Sequence, residues 1–358
     1  MENTMFREHL LRLFTLDPLH IGVGQDIMGE VDLPIDREEE TGVPRIPGTS
    51  LKGGFRSHAS WKLKMDGLKE KPCPGEQPMA QDADTPGIVE RAMILDDFCD
   101  QENCPLCQAF GYPSLKMKGN QTTGREIQGH EGRIWFRDAR LAFFPALTDR
   151  GTLWFSTPGR AAAYLGMEGE ASSFGWPELS LNETEDMALS ISPDIEKVVV
   201  GWIEISGINS SGQDDVVQDV LDALRATGSN PCFPNERYWR YILGRTLLLD
   251  EINFYRVVET CLERRTCNRV DPETGAVSSG ALFSYEALPR NCLLYSRLSM
   301  DNSGFKASCS ISSLEAVCNL AREGLARMGI GGLQTRGLGS ILVTELPETS
   351  PTATEAEV

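Results

Sequence analysis

The stretch HIGVGQDIMGEVDLPIDREEETGVPRIPGTSLKGGFR covers residues 20–56 and gathers glycine turns, acids and a basic segment in one place. Upstream of it, apolar and polar residues mix in a pattern that predicts a strand over residues 7–19. Gly22 and Gly24 interrupt that pattern and predict a flexible turn. A second short apolar segment follows over residues 31–35. The sequence thus predicts a strand, a glycine turn and a short apolar segment in that order.

A helix is predicted at the end of this stretch. Ser50 has the side chain of an N-cap, and the residues after it predict a helix over residues 51–65. Lys52 and Arg56 are four residues apart, so they share one face of that helix. This face either presents two cations to a ligand or simply lies in solvent.

The rest of the chain alternates between strand-like and helix-like patterns, which predicts an α+β fold. The predicted elements are a strand over residues 133–144, a strand and short helix over 152–166, a strand over 197–205, a mixed region over 235–265, a hairpin over 268–283, a helix over 312–328 and a strand over 340–346. The last thirteen residues, 346–358, have the composition of a disordered tail.

Composition and charge limit the function. The chain has 358 residues, with 34 Lys and Arg against 52 Asp and Glu, and a net charge of −18. A protein that holds nucleic acid through its overall field is basic, so any nucleic-acid contact here must come from a local basic surface. The sequence has no apolar run of about eighteen residues and no signal-peptide pattern. We therefore expect a cytoplasmic protein without a membrane partner.

The cysteine spacing predicts a metal site. Cys99, Cys104 and Cys107 form a C-x4-C-x2-C pattern, and thiolates at such spacings are common zinc ligands. A structural zinc site needs a fourth ligand. Three residues are candidates for it: His58, Cys73 and His130. We expect a structural Zn²⁺, with buried free thiols as the alternative. The other six cysteines are scattered and are predicted to be ordinary thiols.

A glycine-rich loop, GIGGLQTRGLG, covers residues 329–339 between a predicted helix and a predicted strand. Phosphate loops of nucleotide-binding proteins precede a helix, so this loop has the wrong order for that role. Its backbone can still approach a ligand closely, and exposed amides with one guanidinium suit a sugar-phosphate chain. A plain connection between helix and strand is the alternative. The candidate RNA contacts are Gly331, Gly332, Gln334, Arg336 and Gly337.

Several motifs together resemble the RAMP superfamily, the repeat-associated mysterious proteins that bind RNA in CRISPR effector complexes. They are the His-x-Gly-x-Gly turn at His20, GEVDLPI around Asp32, TGVPRIPGTSLKGGFR, FRDARLAFFPAL, NRVDPETG with ALFSYEALPRNCLLYS, and the glycine-rich loop. The motifs occur in the family's order and span residues 8–343. The chain is most similar to the backbone subunit of type III complexes, above all to that of subtype III-B.

The resemblance implies an architecture. It implies a ferredoxin-like (RRM-like) palm as one domain over residues 1–345. An insertion over residues 67–128 would carry the cysteine cluster, and a β-hairpin over about 268–283 would form a thumb. Residues 346–358 would follow as the tail.

The resemblance also implies an activity. Asp32 matches the position of the family's target-cleaving aspartate and would act with Mg²⁺ or a similar divalent cation. The implied partners are a guide RNA, a complementary single-stranded target RNA, other copies of the chain and other effector subunits. Besides the residues of the glycine-rich loop, the implied RNA contacts are His20, Gly22, Gly24, Ser50, Lys52 and Arg56. A structural or RNA-contact role for His20 is favoured over a role as general base.

Three other functions remain open at this point. The first is a RAMP subunit that binds RNA without cleaving it. The second is an endoribonuclease of the same superfamily that processes guide RNA by a histidine-centred, metal-independent mechanism. The third is a zinc-stabilised metabolic protein with no RNA. The intact GEVDLPI motif argues against the first.

Overall fold

The computed structural model describes residues 6–24, 31–73, 99–116, 126–166, 188–190, 195–209, 235–268, 273, 275, 282–306 and 311–346. Its helices are α1 (Gly48–Met65), α2 (Pro105–Phe110), α3 (Pro158–Leu165), α4 (Glu236–Leu243), α5 (Glu251–Cys261) and α6 (Leu314–Arg327), with one 3-10 turn at Gln334–Arg336. Its strands are β1 (Phe6–Thr15), β2 (Arg45–Ile46), β3 (Gly111–Tyr112), β4 (Leu115–Lys116), β5 (Glu126–Ile127), β6 (His130–Glu131), β7 (Ile134–Phe136), β8 (Ala139–Thr148), β9 (Gly151–Ser156), β10 (Ala188–Ser190), β11 (Lys197–Val200), β12 (Ile203–Ser206), β13 (Ile208–Asn209), β14 (Thr246–Leu249), β15 (Glu263–Cys267), β16 (Phe283–Ala287), β17 (Leu293–Asp301) and β18 (Ile341–Val343).

Most strands join one large, mainly antiparallel sheet in the order β13-β10-β14-β9-β8-β17-β1-β18. Toward the β18 end of this order, β1 pairs with β17 from Phe6 opposite Asp301 to Phe14 opposite Leu293. The other side of β1 pairs with β18. Two pairs, β9 with β14 and β10 with β13, are parallel. The predicted mixture of helices with a sheet is therefore confirmed.

Successive side chains of a strand point to opposite faces, and the sheet uses both faces to build cores. Leu13 of β1 belongs to the core that α1 and α6 cover, whereas the next residue, Phe14, belongs to a second core. Aromatic side chains of α3 and α4 fill this second core, with Tyr164 and Trp239 stacked at 5.6 Å between ring centroids. The sheet is thus buried between two helical layers.

Helices α1 and α6 cross closely because each has a glycine at the contact. A Cβ on Gly54 would lie 2.8 Å from Cδ1 of Ile330, and a Cβ on Gly324 would lie 2.7 Å from the His58 ring. Helix α6 begins as predicted behind a serine cap, since Ser313 Oγ accepts the backbone N–H of Ala316 at 3.1 Å. This packing fixes where the glycine-rich loop leaves α6.

The predicted cap of α1 is wrong. The helix begins at Gly48, so Ser50 lies inside its first turn, and no side chain of the preceding residue caps it. Asp138 does so from the sheet, because its Oδ1 accepts the Gly48 N–H at 2.8 Å. A Cβ at position 48 would lie 2.2 Å from the carbonyl oxygen of Phe136, so the close approach requires glycine.

Four strand predictions have different bounds in the structure. The first strand ends at Thr15, three residues before Pro18, which lacks a ladder donor. Residues 31–35 form isolated bridges rather than a ladder. The strand predicted over 133–144 is two strands, β7 and β8, and the strand predicted over 197–205 is the hairpin β11–β12. A turn at Gly201, whose φ is 57°, divides that hairpin.

The implied thumb falls largely outside the described residues, as do most of the insertion and all of the tail beyond Leu346. The two arms of the hairpin are described: β15 and β16 pair antiparallel, from Glu263 opposite Ala287 to Cys267 opposite Phe283. In the insertion, α2 and the short β3–β6 ladder are described. None of the helices in the described ranges is long and apolar enough to cross a membrane.

Candidate catalytic face and cysteine centre

Asp32 lies beside β16, the second arm of the hairpin. The segment that carries it runs parallel to β16: the Leu33 N–H donates to the Ser284 carbonyl at 3.0 Å, and the Glu286 N–H donates to the Leu33 carbonyl at 3.1 Å. Asp32 Oδ2 accepts both the backbone N–H of Ser284 at 2.7 Å and its hydroxyl at 2.9 Å. These two bonds lower the pKa of Asp32, so the carboxylate is ionised near neutral pH.

Glu286 is the second point at which β16 holds this segment. Its side chain is buried, and its carboxylate accepts the Ile35 N–H at 3.4 Å and the Arg37 guanidinium at 3.1 Å. Arg264 of β15 reaches the same carboxylate at 3.4 Å. A buried carboxylate with two cations and an amide is well compensated, so it can fix the segment firmly. The Asp32 segment is therefore attached to the base of the hairpin at Asp32 and again at the residues that follow it.

His20 connects the glycine turn to this base. Its Nδ1 lies 2.7 Å from the Glu286 carbonyl oxygen, which can only accept, so Nδ1 carries the proton. The ring is 5% exposed. A Cβ on Gly22 would lie 2.7 Å from Nε2, and one on Gly332 would lie 3.0 Å from Cδ2, so both glycines make room for the ring. This position supports the structural role that the sequence favoured over that of general base.

The glycine-rich loop packs against the glycine turn through its backbone. The Gly332 N–H donates to the His20 carbonyl at 2.9 Å. Gly331 has a φ of 88°, and a Cβ there would lie 2.4 Å from the same carbonyl, so only glycine fits. The outer part of the loop faces solvent, and its exposed members include Gln334, Arg336 and Gly337. The Arg336 guanidinium lies over the Phe283 ring of β16 at 5.2 Å.

A small apolar cluster holds these segments together. Tyr285, Ala287 and Leu338 are its buried members, and Leu33 and Leu333 pack against them. The cluster joins the Asp32 segment, β16 and the glycine-rich loop. We term the surface above it the catalytic face, made of residues 22–24, Asp32, residues 284–286 and the loop 329–339.

The cations of α1 do not join this face. Arg56 donates from Nη1 to the Gly111 carbonyl at 2.8 Å, and thereby supports the end of α2. Lys52 is half-buried, and its pKa is lowered by burial and by the nearby Arg56. Gly54, which contacts Ile330 at the start of the glycine-rich loop, is about 200° around the helix from Lys52. Lys52 and Arg56 therefore face the cysteine-bearing element rather than Asp32.

Cys73 completes the cysteine cluster. The sulfurs of Cys73, Cys99, Cys104 and Cys107 all lie within 4.8 Å of one another, and three of the separations are 3.5, 3.6 and 3.6 Å. A tetrahedral zinc with Zn–S bonds of about 2.3 Å places its sulfurs about 3.8 Å apart. The four cysteines could therefore hold a metal ion of this kind.

The other two candidate ligands are used elsewhere. His58 Nε2 donates to the Gly329 carbonyl at 2.6 Å, in the contact between α1 and α6. His130 stacks on Tyr112 at 6.0 Å. Within the cysteine cluster, hydrogen bonds from Cys107 and then Cys73 lower the pKa of the Cys104 thiol. The cysteine cluster thus favours the ionised thiolate of Cys104, which is the form of cysteine that binds a metal.

The RAMP superfamily sequence profile matches residues 12–342. This chain belongs to the RAMP superfamily. The CRISPR system Cmr endoribonuclease Cmr4 of Pyrococcus furiosus is 26% identical to it, over 98% of this chain and 100% of that protein.

Two solved structures resemble this RAMP protein. The type III-B Cmr-beta complex bound to cognate target RNA contains a chain with a TM-score of 0.53 and 16% identity, covering 94% of this chain and 96% of that one. The crystal structure of oligomeric Cmr4 from Pyrococcus furiosus gives a TM-score of 0.51 and 19% identity, covering 96% of this chain and 100% of that one. At such identities the likeness establishes the fold of this RAMP protein.

Sequence reasoning missed the residues that hold Asp32 in this RAMP protein. Ser284 and Glu286 lie in the quoted stretch FSYEALP, but nothing in their spacing connects them to residues 31–37. The contact spans about 250 residues along the chain and depends on the parallel pairing beside β16. The only available signal was the alternation of Ser284 and Glu286, which places both side chains on one face of a strand.

Proposed function

We propose that this RAMP protein is a backbone subunit of a type III CRISPR effector, which binds a guide RNA and cleaves the complementary target RNA with Asp32. One observation carries the proposal: an ionised, half-exposed carboxylate lies on the same face as an exposed, glycine-rich loop and at the base of a hairpin. The relative Cmr4 is named an endoribonuclease, and a similar structure is that of a complex with cognate target RNA.

The proposed architecture is a ferredoxin-like palm. Its core would be β1, α1, β8, β17, α6 and β18, in chain order β-α-β-β-α-β. Their sheet order β8-β17-β1-β18, with every neighbouring pair antiparallel, supports this assignment. Both helices of the set, α1 and α6, pack on one face of the sheet. The palm would occupy residues 1–345.

The chain would bind RNA through local surfaces despite its net charge of −18. Arg336 and the amides of the glycine-rich loop would contact the backbone of the RNA at the catalytic face. Lys52, with Ser50 in the same turn of α1, would contact it at a separate place beside the cysteine element. In this division base pairing recognises the target sequence, while the protein recognises backbone and shape. The remaining acidic surface would be left for other subunits and other copies.

A divalent cation fits Asp32 if the RNA completes its coordination. Mg²⁺ commonly binds through one or two carboxylates together with substrate phosphates and water. Asp36 is already bound to Arg45 and Glu286 to Arg37, so neither is available beside Asp32. Within the described ranges, the four cysteines are the only group of three or more potential metal ligands. A cation held by Asp32 would stabilise the charge that develops on the scissile phosphate.

We further propose that the cysteine cluster binds a structural Zn²⁺. Four thiolates close the coordination sphere and leave no position for a substrate, which is typical of structural rather than catalytic zinc. The bond from Arg56 to Gly111 attaches this element to α1. The zinc would therefore stabilise the insertion beside Lys52 and have no part in the cleavage step.

The hairpin over about 268–283 would act as the thumb. Its arms, β15 and β16, are bound through Arg264, Glu259 and Glu286 to α5 and the Asp32 segment. Its tip would enter between nucleotides and interrupt the guide–target duplex, so that the exposed phosphate lies near Asp32. Successive copies along a guide would then cut at regular intervals.

The histidine-centred alternative finds little support in the site. The His20 ring is 5% exposed and its Nδ1 is engaged, and His58 is buried against Gly329. His9 bonds to Glu315 and His130 stacks on Tyr112, away from the catalytic face. The chain has four histidines, so no other can serve as a general base. The intact GEVDLPI motif around Asp32 argues against a subunit that binds without cleaving.

The test is to purify the protein from its cytoplasmic source with its partners, sequence the RNA that accompanies it and add labelled target RNA. We expect a guide RNA, and regularly spaced cuts in complementary RNA but none in a scrambled control. Cleavage should stop in EDTA while zinc stays bound. Cleavage that persists in EDTA would favour the guide-processing alternative, and the absence of both guide and cleavage would refute the proposal.

A further inference from the structure

Ser284 makes three hydrogen bonds with Asp32, and two of them are to the carboxylate. Its N–H and hydroxyl both donate to Oδ2, at 2.7 and 2.9 Å, and its hydroxyl also accepts the Asp32 N–H at 3.1 Å. Three bonds between the same two residues fix the rotation of the carboxylate as well as its place. Both bonds donated by Ser284 go to Oδ2, so Oδ1 is not engaged by Ser284 and is the oxygen directed to a ligand.

We infer that Ser284 is a positioning residue for RNA cleavage: its hydroxyl orients Asp32 and makes that orientation depend on the seating of the hairpin arm β16. This inference rests on the proposed function. Ser284 itself is not placed to touch the reacting atoms, since both hydrogen bonds of its hydroxyl are made with Asp32.

The coupling to the hairpin follows from the neighbours of Ser284 along β16. Phe283, on one side, pairs with Cys267 of β15 and lies under the Arg336 guanidinium. Tyr285, on the other side, is 2% exposed in the apolar cluster of the catalytic face. A shift of β16 would carry Ser284 with it, and Asp32 Oδ2 would have to follow or lose two bonds. RNA that holds the hairpin in place would in this way also hold the carboxylate.

In the described residues, a similar pair in which a serine N–H and hydroxyl bond to one carboxylate oxygen lies at the far end of β17 and provides a matched control. There the Ser303 N–H donates to Asp301 Oδ1 at 2.9 Å, and the Ser303 hydroxyl bonds to the same oxygen. The pair closes a turn next to Arg133 and has no contact with the catalytic face. Removing the Ser303 hydroxyl should therefore reproduce the local structural cost of the change without its effect on Asp32.

The experiment compares Ser284→Ala, Ser284→Thr and Ser303→Ala in the assembled complex, under single-turnover conditions on a complementary RNA. Misplacing a catalytic group by a fraction of an ångström typically costs about tenfold or more in rate. We expect Ser284→Ala to cut about tenfold more slowly, with guide and target affinities within about twofold of the parent. Thr keeps the hydroxyl, so Ser284→Thr should recover most of the rate. Ser303→Ala should cut at the parental rate.

A double substitution separates positioning from general damage. If Ser284 acts through Asp32, then Ser284→Ala should lower the residual rate of Asp32→Asn by less than about twofold, because the group it positions is already gone. A further tenfold loss in the double variant would overturn the inference. So would parental cleavage by Ser284→Ala, provided that Asp32→Asn alone has lost most of its activity.

Failure of the proposed function gives a different result, since Asp32→Asn itself would then cut normally. If Ser284→Ala does not assemble, Ser284→Cys replaces it, because a thiol has similar size but is a weak donor. We then expect the parent to cleave RNA fastest, Ser284→Thr to be slower and Ser284→Cys to be the slowest. Equal rates for Thr and Cys would overturn the inference.

Discussion

Glu315 begins α6 with no exposed side-chain surface, and His9 of β1 lies 3.2 Å from its Oε1. Burial is the largest influence and by itself would raise the pKa of this carboxyl, but the hydrogen bonds from His9, from the backbone and from Ser313 together outweigh it and lower the pKa to about 2. A folded-state pKa below the ordinary value contributes stability above about pH 4.5. That contribution is lost as the pH falls toward 2.

We therefore expect Glu315→Gln to be less stable than the parent at pH 7, by about 1 to 3 kcal/mol, and the difference to shrink at pH 3. Urea unfolding of the isolated chain at both pH values measures it. Glu323→Gln, on the exposed side of the same helix, is the control and should change stability little at either pH. An equal deficit of Glu315→Gln at pH 7 and pH 3 would contradict the account.

Single residues show what the sequence could and could not reveal. Asp32 could be singled out as a candidate because its motif is contiguous, and its catalytic role stays a prediction; Cys73 was among three named candidates for the fourth ligand of the cysteine cluster. Ser50 was wrongly predicted as the cap of α1, because a local pattern cannot reveal that Asp138, between β7 and β8, supplies the bond. Ser284 was missed for the same reason. Local signals identify residue types, whereas these bonds depend on which segments meet in three dimensions.

At the scale of elements, the cysteine cluster should stabilise its own part of the chain. Cys104→Ser or Cys73→Ser removes one of four metal ligands, so we expect the zinc content to fall well below one per chain and the Tm to fall by several degrees. Cys318→Ser is the control, because Cys318 is a buried thiol of α6 outside the cluster. It should cost some stability but leave the zinc content unchanged. Unchanged zinc in the cluster variants would leave these residues as ordinary thiols.

The hairpin should set the spacing of cuts. Replacing residues 269–281 with an Asn-Gly turn keeps β15 and β16 paired, so the palm and guide binding should be retained. Without a tip to interrupt the duplex, the regular ladder of products on a complementary RNA should blur or disappear. A variant of parental length with a Gly-Ser tip separates length from side-chain chemistry. A parental ladder from the shortened variant would move the thumb to the insertion over residues 67–128.

The bounds of elements were less predictable than their existence. The helix α6, its serine cap and the strand that follows were confirmed, because strong apolar spacing and a local cap agree there. The strand predicted over 133–144 was divided, since Asp138 leaves the ladder to bind Gly48 and Arg45. The sequence pattern over 197–205 does not reveal the turn at Gly201, because the residues beside that glycine are apolar. In each case a long-range bond or a tight turn overrides a continuous pattern.

For the molecule as a whole, RNA affinity should depend on a few cations in an acidic protein. Lys52→Ala and Arg336→Ala should each weaken guide binding. Each should also reduce the slope of the log binding constant against log salt concentration by about 0.7, the value for one phosphate contact on a single strand. Arg56→Ala should also lower the Tm, because it removes the bond to Gly111. Arg150→Ala is the control, an exposed cation beside Asp149 in the β8–β9 turn. Parental affinity and slope in Lys52→Ala and Arg336→Ala would contradict this distribution of contacts.

In the proposed function, the Asp32 carboxylate at the base of the hairpin cleaves the target RNA. Other residues of the chain bind the guide and the target. The most direct test compares Asp32→Asn with the parent, and with Asp301→Asn as the second serine-bound aspartate, for both cleavage rate and target affinity. Asparagine keeps the shape and the acceptor oxygen but removes the charge. We expect Asp32→Asn to bind guide and target as the parent does but to cut at only a small residual rate, whereas Asp301→Asn should bind and cut as the parent does. Cleavage by Asp32→Asn at the parental rate would contradict the proposed function.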